Sequence, residues 1–198
     1  MSGAERQDKI YSNAPTYRIE VNGVVRDLTV CKVTDEMSIA AFVIFGDVEM
    51  TVKAAEALLQ VVPDHDIMIT AESKGIPLLH EMARQGGETT YVIARKGPKL
   101  YMKNPFSVEV HSITTAQKQS LFLDEIEADK MRGKRVLVVD DVISTGNSLR
   151  AVETLVREAG GNIVGKACIL AEGDAIYRDD IIFLESIPLI FSEEKAPK

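Results

Sequence analysis

Two adjacent carboxylates, Asp140 and Asp141, follow four consecutive aliphatic residues, Val136–Val139, and lead into a run of small polar residues, Ser144, Thr145, Gly146, Asn147 and Ser148. Four aliphatics in a row suit a strand buried on both faces, and such a strand gains nothing by ending in two acids. The polar run opens a helical pattern over Asn147–Ala159. The first N–H groups of a helix lack partners and carry the positive end of its dipole, so a phosphate placed there collects several hydrogen bonds. Gly146 permits close approach of the backbone, and Ser144, Thr145 and Ser148 add hydroxyl donors. Asp140 and Asp141 repel phosphate but suit sugar hydroxyls, or a magnesium ion reached through water. Phosphate at one end and a diol at the other describe a ribose 5-phosphate. The alternative is a strand–helix turn with a solvated Asp pair and a hydroxyl cap.

A second segment of the same kind is Thr70–Gly75. It falls after the apolar run Ile67–Thr70 and before a helical pattern, with Lys74 as a point charge and Gly75 for close approach. Arg95, Lys96, Lys99 and Lys103 gather positive charge in an otherwise acidic chain, where it can serve a small anion. Two other phosphate loops are absent: there is no G-x-x-x-x-G-K-[ST] and no G-x-G-x-x-G.

The elements that must position these residues follow from periodicity. Alternation over Tyr17–Val21, then Asn22-Gly23, then Val24–Val33 predicts a hairpin. Asp47 caps a helix whose apolar face is Val48, Val52, Ala55 and Leu59. Strands are expected at Ile67–Thr70, Thr90–Ala94, Arg135–Val139, Ile163–Ala171 and Phe183–Phe191, and helices at Gly75–Gln85 and Asn147–Ala159. Lys96–Ser107, with Gly97, Pro98 and Pro105, reads as a loose loop, framed by a hairpin of Val108–Ile113 with Gln119–Leu123. Residues 1–15 read as a tail or a docking helix. Strands alternating with helices imply an α/β fold with a mostly parallel sheet, with ligands beyond the carboxyl ends of its strands.

Composition excludes several classes. Apolar residues make up 45% and charged residues 27% of the 198-residue chain, as in an ordinary globular domain. A net charge of −7 disfavours nucleic acid as a partner. No apolar run is long enough for a membrane span, and the polar start lacks the apolar core of a secretory signal. The only cysteines, Cys31 and Cys168, sit in apolar stretches and suggest neither a disulfide framework nor a metal site. A cytoplasmic location is expected.

The stretch VLVVDDVISTGNS resembles the phosphoribosyl-diphosphate motif of the type I phosphoribosyltransferases, with Asn147 replacing a more frequent Gly or Ala. Over roughly Tyr17–Phe191 the chain looks most like the adenine and xanthine branch. The resemblance implies one Rossmann-like domain over residues 1–198, with a tail (1–15), a small N-terminal hood (16–46), a core (47–191) and a flexible loop. It implies a purine phosphoribosyltransferase of purine salvage that uses phosphoribosyl diphosphate and Mg2+ bound with it, assembled as a homodimer. Ser144–Ser148 would hold the 5-phosphate, and Asp140 and Asp141 the ribose hydroxyls. Glu72, Ser73 and Lys74 would form the diphosphate loop, with a cis peptide near Glu72-Ser73 and Lys74 where Arg is common.

Arg95 and Lys96 would reach diphosphate, often that of the neighbouring subunit, and Lys99 and Tyr101 would lie in a closing loop. Glu109 would handle the base proton, while His111–Thr114 is similar to a Tyr-Ser-Phe-Thr stretch of xanthine enzymes. Val25 and Arg26 lie in a stretch similar to one that frames adenine, here without its Phe. Gly173 stands where xanthine enzymes carry a Lys, which points to adenine. The rival reading is a non-catalytic phosphoribosyl-diphosphate sensor of the purine-regulator type, disfavoured by the acidic charge and the short segment 1–16.

Overall fold

The computed structural model describes residues 15–110 and 119–191. Five parallel strands form the central sheet: β4 (Ile67–Ala71), β5 (Val92–Ala94), β8 (Arg135–Ile143), β9 (Asn162–Glu172) and β10 (Ile182–Ile187), in the order β10-β9-β8-β4-β5. Helices α1 (Val48–Leu59) and α2 (Gly75–Gly86) cover one face; α3 (Glu125–Met131) and α4 (Asn147–Glu158) cover the other. Strand alternation explains how β8 serves both. Val136 and Val138 join Leu149, Val152 and Leu155 of α4, while Leu137 and Val139 join Leu78, Leu79 and Met82 of α2. The expected α/β class with a parallel sheet between helices is therefore the observed one.

The hood is an antiparallel sheet of β1 (Thr16–Val21), β2 (Val24–Lys32), β3 (Met37–Ala41) and β11 (Leu189–Phe191). Asn22 and Gly23 turn the first hairpin with φ of 47° and 79°, the pair of positive values that a two-residue turn needs to match strand twist. Here the structure corrects the sequence reading. The last expected strand is two strands in different sheets, β10 and β11, because Pro188 lies between them and cannot donate to a ladder. The hood thus draws its fourth strand from the far end of the chain, and no single cut at residue 46 separates it from the core.

Three further differences bear on the site. The buried side of α1 is Met50, Thr51, Ala54, Ala55 and Leu58, and Val48 is exposed. The helix carries two apolar stripes, and packing on the sheet selected the one that periodicity did not favour. Helix α3 was not foreseen, although Asp124 caps it by accepting from Glu127 N–H at 2.9 Å, a D-x-x-E signature legible in the sequence. Strand β8 runs on through Asp140 and Asp141 to Ile143 instead of stopping at Val139.

The expected hairpin beside the basic segment pairs β6 (Phe106–Val110) with β7 (Gln119–Leu123), starting two residues before the reading placed it. The segment before it is tied down at its end: Glu125 N–H donates to Lys103 O, and the Asn104 side-chain amide donates to Glu125 Oε2. His111–Thr114 and most of the expected tail, residues 1–14, lie outside the described residues. Among the described residues no helix is long and apolar enough to cross a membrane.

Candidate active site

The site forms beyond the carboxyl ends of β4 and β8, where each strand feeds a helix. After β4, residues 72–74 turn into α2, and the peptide between Glu72 and Ser73 is cis. Glu72 braces this turn. Its backbone N–H donates to Ala94 O at 2.8 Å, its Oε2 accepts from Lys96 N–H at 2.9 Å, and its Oε1 lies 3.4 Å from the Arg95 guanidinium. The Lys96 N–H bond, then the charges of Arg95, Lys99 and Lys96, hold the Glu72 carboxyl below its usual range. Glu72 thus fixes the basic segment to the loop.

Gly75 lets α2 start against the sheet. A Cβ at this position would overlap the buried Thr70 hydroxyl and lie 3.2 Å from Asp140 Oδ1. After β8, Gly146 adopts φ of 74° and caps α4, so no cap side chain occupies the N–H groups of its first turn. Residues Ser144–Leu149 with Asp140, Val142 and Ile143 line a cradle of about 130 Å³. A larger cleft, about 450 Å³, adjoins it and shares Asp140, Val142 and Ser148. Its other lining residues include Glu72, Ser73, Lys74, Lys96 and Asp141.

The two carboxylates differ. Strand alternation sends them to opposite faces of β8, so Asp140 lines both cavities and Asp141 only the larger. Burial, and then the neighbouring Asp141 carboxylate, push Asp140 well above the ordinary aspartate range; the Asp141 N–H at 2.9 Å and the Lys74 charge offset this in part. A carboxyl that keeps its proton repels an incoming phosphorylated sugar less, and it can both donate to and accept from a diol. Asp141 is buried, with Lys74 Nζ at 3.3 Å from its Oδ2. That oxygen has no hydrogen-bond partner among the described residues.

The structure therefore gathers Asp140, Asp141, Glu72, Ser73, Lys74, Lys96 and Ser144–Ser148 around two adjoining cavities. Others named from the sequence line neither cavity. Arg95 lines a separate pocket with Tyr91, Tyr101 and Asp124, and exchanges backbone hydrogen bonds with Phe122. Lys99 donates its backbone N–H to Met102 Sδ in the turn beside that pocket. Glu109 is exposed on β6 opposite Ser120, outside the lining of either cavity.

Val25 and Arg26 sit on β2 of the hood and line neither cavity. The Arg26 guanidinium is committed to the N-terminus of α1, donating to both oxygens of Asp47 at 2.7 and 2.9 Å and to Glu49 at 2.8 Å. A third cleft, about 440 Å³, opens beside Gly173 at the carboxyl end of β9, with Tyr17, Tyr177, Leu189 and Phe191 among its walls. Sequence reasoning missed this aromatic enclosure, because its walls come from β1, a 3₁₀ turn over Gly173–Tyr177 and β11.

The fold is shared with solved structures. Adenine phosphoribosyltransferase from Thermoanaerobacter pseudethanolicus superposes with a TM-score of 0.62 at 20% identity, covering 90% of this chain and 98% of that one. The Giardia lamblia enzyme complexed with 9-deazaadenine gives 0.57 at 17% identity over 94% and 98%. At these identities the likeness shows the fold. By sequence, the hypoxanthine/guanine phosphoribosyltransferase of Methanotorris igneus is 37% identical over 109 residues, 55% of each protein. That of Methanococcus voltae is 36% identical over 109 residues, 55% of this chain and 54% of that protein. The chain thus spans about half the length of these curated relatives. The profile of the phosphoribosyl transferase domain matches residues 49–196, and the chain belongs to that family.

Proposed function

We propose that the protein is a purine phosphoribosyltransferase that takes phosphoribosyl diphosphate and a purine base to nucleotide and diphosphate. The observation that carries this reading is the convergence of three parts on two adjoining cavities: the loop at Glu72–Lys74, the carboxyl pair Asp140–Asp141 and the cradle at Ser144–Ser148. The 5-phosphate sits at the N-terminus of α4, and the ribose hydroxyls face Asp140 and Asp141. The diphosphate lies against the 72–74 loop and Lys96. A nitrogen of the base bonds to C1 of the sugar as the C1–O bond breaks; diphosphate departs with that electron pair, and the ring N–H proton passes to solvent. The chain's own contribution is to align these partners and to neutralise charge on the leaving group.

Magnesium fits this site as an ion carried by the diphosphate, supplying positive charge to it. No group of three or more His, Cys, Asp or Glu able to hold a metal occurs among the described residues, and the two carboxyls offer hard oxygens for a water-bridged ion. Adenine is the base we put first, because Gly173 offers no side-chain donor to a purine oxygen. The aromatic cleft beside it has apolar walls suited to a flat heterocycle. The names of the sequence relatives favour a 6-oxopurine as the second reading. The homodimer belongs to the same proposal, and light scattering on the purified chain tests it.

Diphosphate release, assayed with adenine, hypoxanthine, guanine and xanthine in the presence of magnesium, tests the whole. Turnover with adenine is expected to exceed the others. Tight binding of phosphoribosyl diphosphate without turnover on any base would convert the reading to a sensor, and absence of binding would end it.

A further inference from the structure

The cradle at Ser144–Ser148 contains hydroxyls and backbone N–H groups but no cation of its own. Two cations lie near Gly146: Arg150 of α4, whose Nη1 would lie 3.7 Å from a Cβ built on that glycine, and one from a part of the chain that carries no motif. Arg178, just after the 3₁₀ turn, lays its guanidinium over Gly146, so that a Cβ built on that glycine would lie 2.5 Å from Arg178 Nη1. The opposite edge of the guanidinium is clamped: Nε and Nη2 each donate to Asp180, at 2.8 Å to Oδ1 and 2.8 Å to Oδ2. Asp180 is held in turn by Lys166, whose ammonium also reaches Glu153 on α4 at 3.3 Å. Lys166 is largely buried and Glu153 is buried, so the far end of this chain of charges is fixed in the core. Among the described residues Nη1 has no hydrogen-bond partner, while both donors on the clamped edge are occupied.

An exposed Arg–Asp pair is ordinarily a weak surface contact. This one differs in its aim. Bidentate pairing fixes the plane of the guanidinium, with Nη1 beside the glycine that opens the helix N-terminus. We propose that Arg178 is a binding residue for the 5-phosphate, supplying the positive charge that the turn lacks through Nη1. Asp180 and Lys166 act as positioning residues that hold it there. The inference rests on the phosphoribosyl reading of the cradle and adds to it a specific cation outside the motif.

Calorimetry with two probes on the full chain tests it. Ribose 5-phosphate reports the cradle, and inorganic diphosphate with magnesium reports the 72–74 loop. Arg178→Gln is expected to weaken ribose 5-phosphate about tenfold, the worth of one charge-assisted hydrogen bond. Diphosphate affinity and melting temperature should stay at wild-type values. Arg178→Lys, keeping the charge without the fork, should recover part of the loss. Wild-type affinity of Arg178→Gln for ribose 5-phosphate would overturn the inference and leave the functional reading standing. Equal loss of both probes with a lowered melting temperature would assign Arg178 a structural role and also overturn it. Failure of the wild-type chain to bind ribose 5-phosphate would overturn both.

Discussion

Lys74 Nζ lies 3.3 Å from Oδ2 of Asp141, spanning the mouth of the larger cleft from the loop after β4 to the end of β8. The lysine is half exposed and the aspartate buried, so the ammonium is the mobile partner of the pair and the carboxylate the fixed one. An arriving diphosphate competes for that ammonium. Lys74→Ala should weaken inorganic diphosphate about tenfold at low salt, with a smaller effect as salt screens the charge. Titration calorimetry at two ionic strengths checks this. Unchanged affinity at low salt would remove Lys74 from the diphosphate site.

Asp140 couples function to pH. Its proton affinity is raised in the folded state by burial and by Asp141. The folded chain thus binds this proton more tightly than the unfolded chain, and stability falls as pH rises. The favourable contribution is full below the ordinary aspartate value of 3.8 and is lost as the pH climbs through the raised range. Asp140→Asn should melt higher than wild type in alkaline buffer and equally at acid pH, while losing about a hundredfold or more in turnover. Thermal melts between pH 4 and 9, with diphosphate release, decide it; a lower alkaline melting temperature would contradict the burial argument.

Gly75 is required by space. A Cβ there meets Thr70 and Asp140. Gly75→Ala should cost about 1–3 kcal/mol by urea denaturation, the usual penalty for overfilling a packed site. Thr70→Ala removes the hydroxyl that is overlapped, so the double variant should be less destabilised than the sum of the singles. Additivity would place the strain elsewhere.

Asp66 and Arg135 join the starts of β4 and β8. Asp66 Oδ2 accepts from Arg135 N–H at 2.8 Å and Oδ1 from its guanidinium at 2.9 Å. The guanidinium first, then the backbone N–H, hold Asp66 down at about 2. A lowered carboxyl stabilises above its ordinary value of 3.8 and loses this as the pH falls through about 2. Asp66→Asn should melt about 2 °C lower at pH 7, as expected for an exposed pair, with the gap closing at acid pH. A gap that persists at pH 2 would mean that the backbone bond to the side chain, rather than charge, supplies the effect.

The sequence by itself determined the alternation of strands and helices, the Asn22-Gly23 turn, the Asp47 cap and the two strand–helix turns of the candidate site. Each of these rests on interactions among residues close in the chain: period, capping and turn chemistry. It also located the cis peptide at Glu72-Ser73, through a family resemblance. Tertiary structure alone decided which stripe of α1 is buried, because Val48, Val52 and Leu59 compete with Met50, Ala54 and Leu58 and only the sheet chooses. It decided that Arg26 is spent on Asp47 and Glu49, that Leu189–Phe191 crosses to the hood, and that Arg178 faces Gly146 across 32 residues of chain. Contacts between distant segments leave no period in a sequence, so the cation beside Gly146 became visible only when the chain was folded.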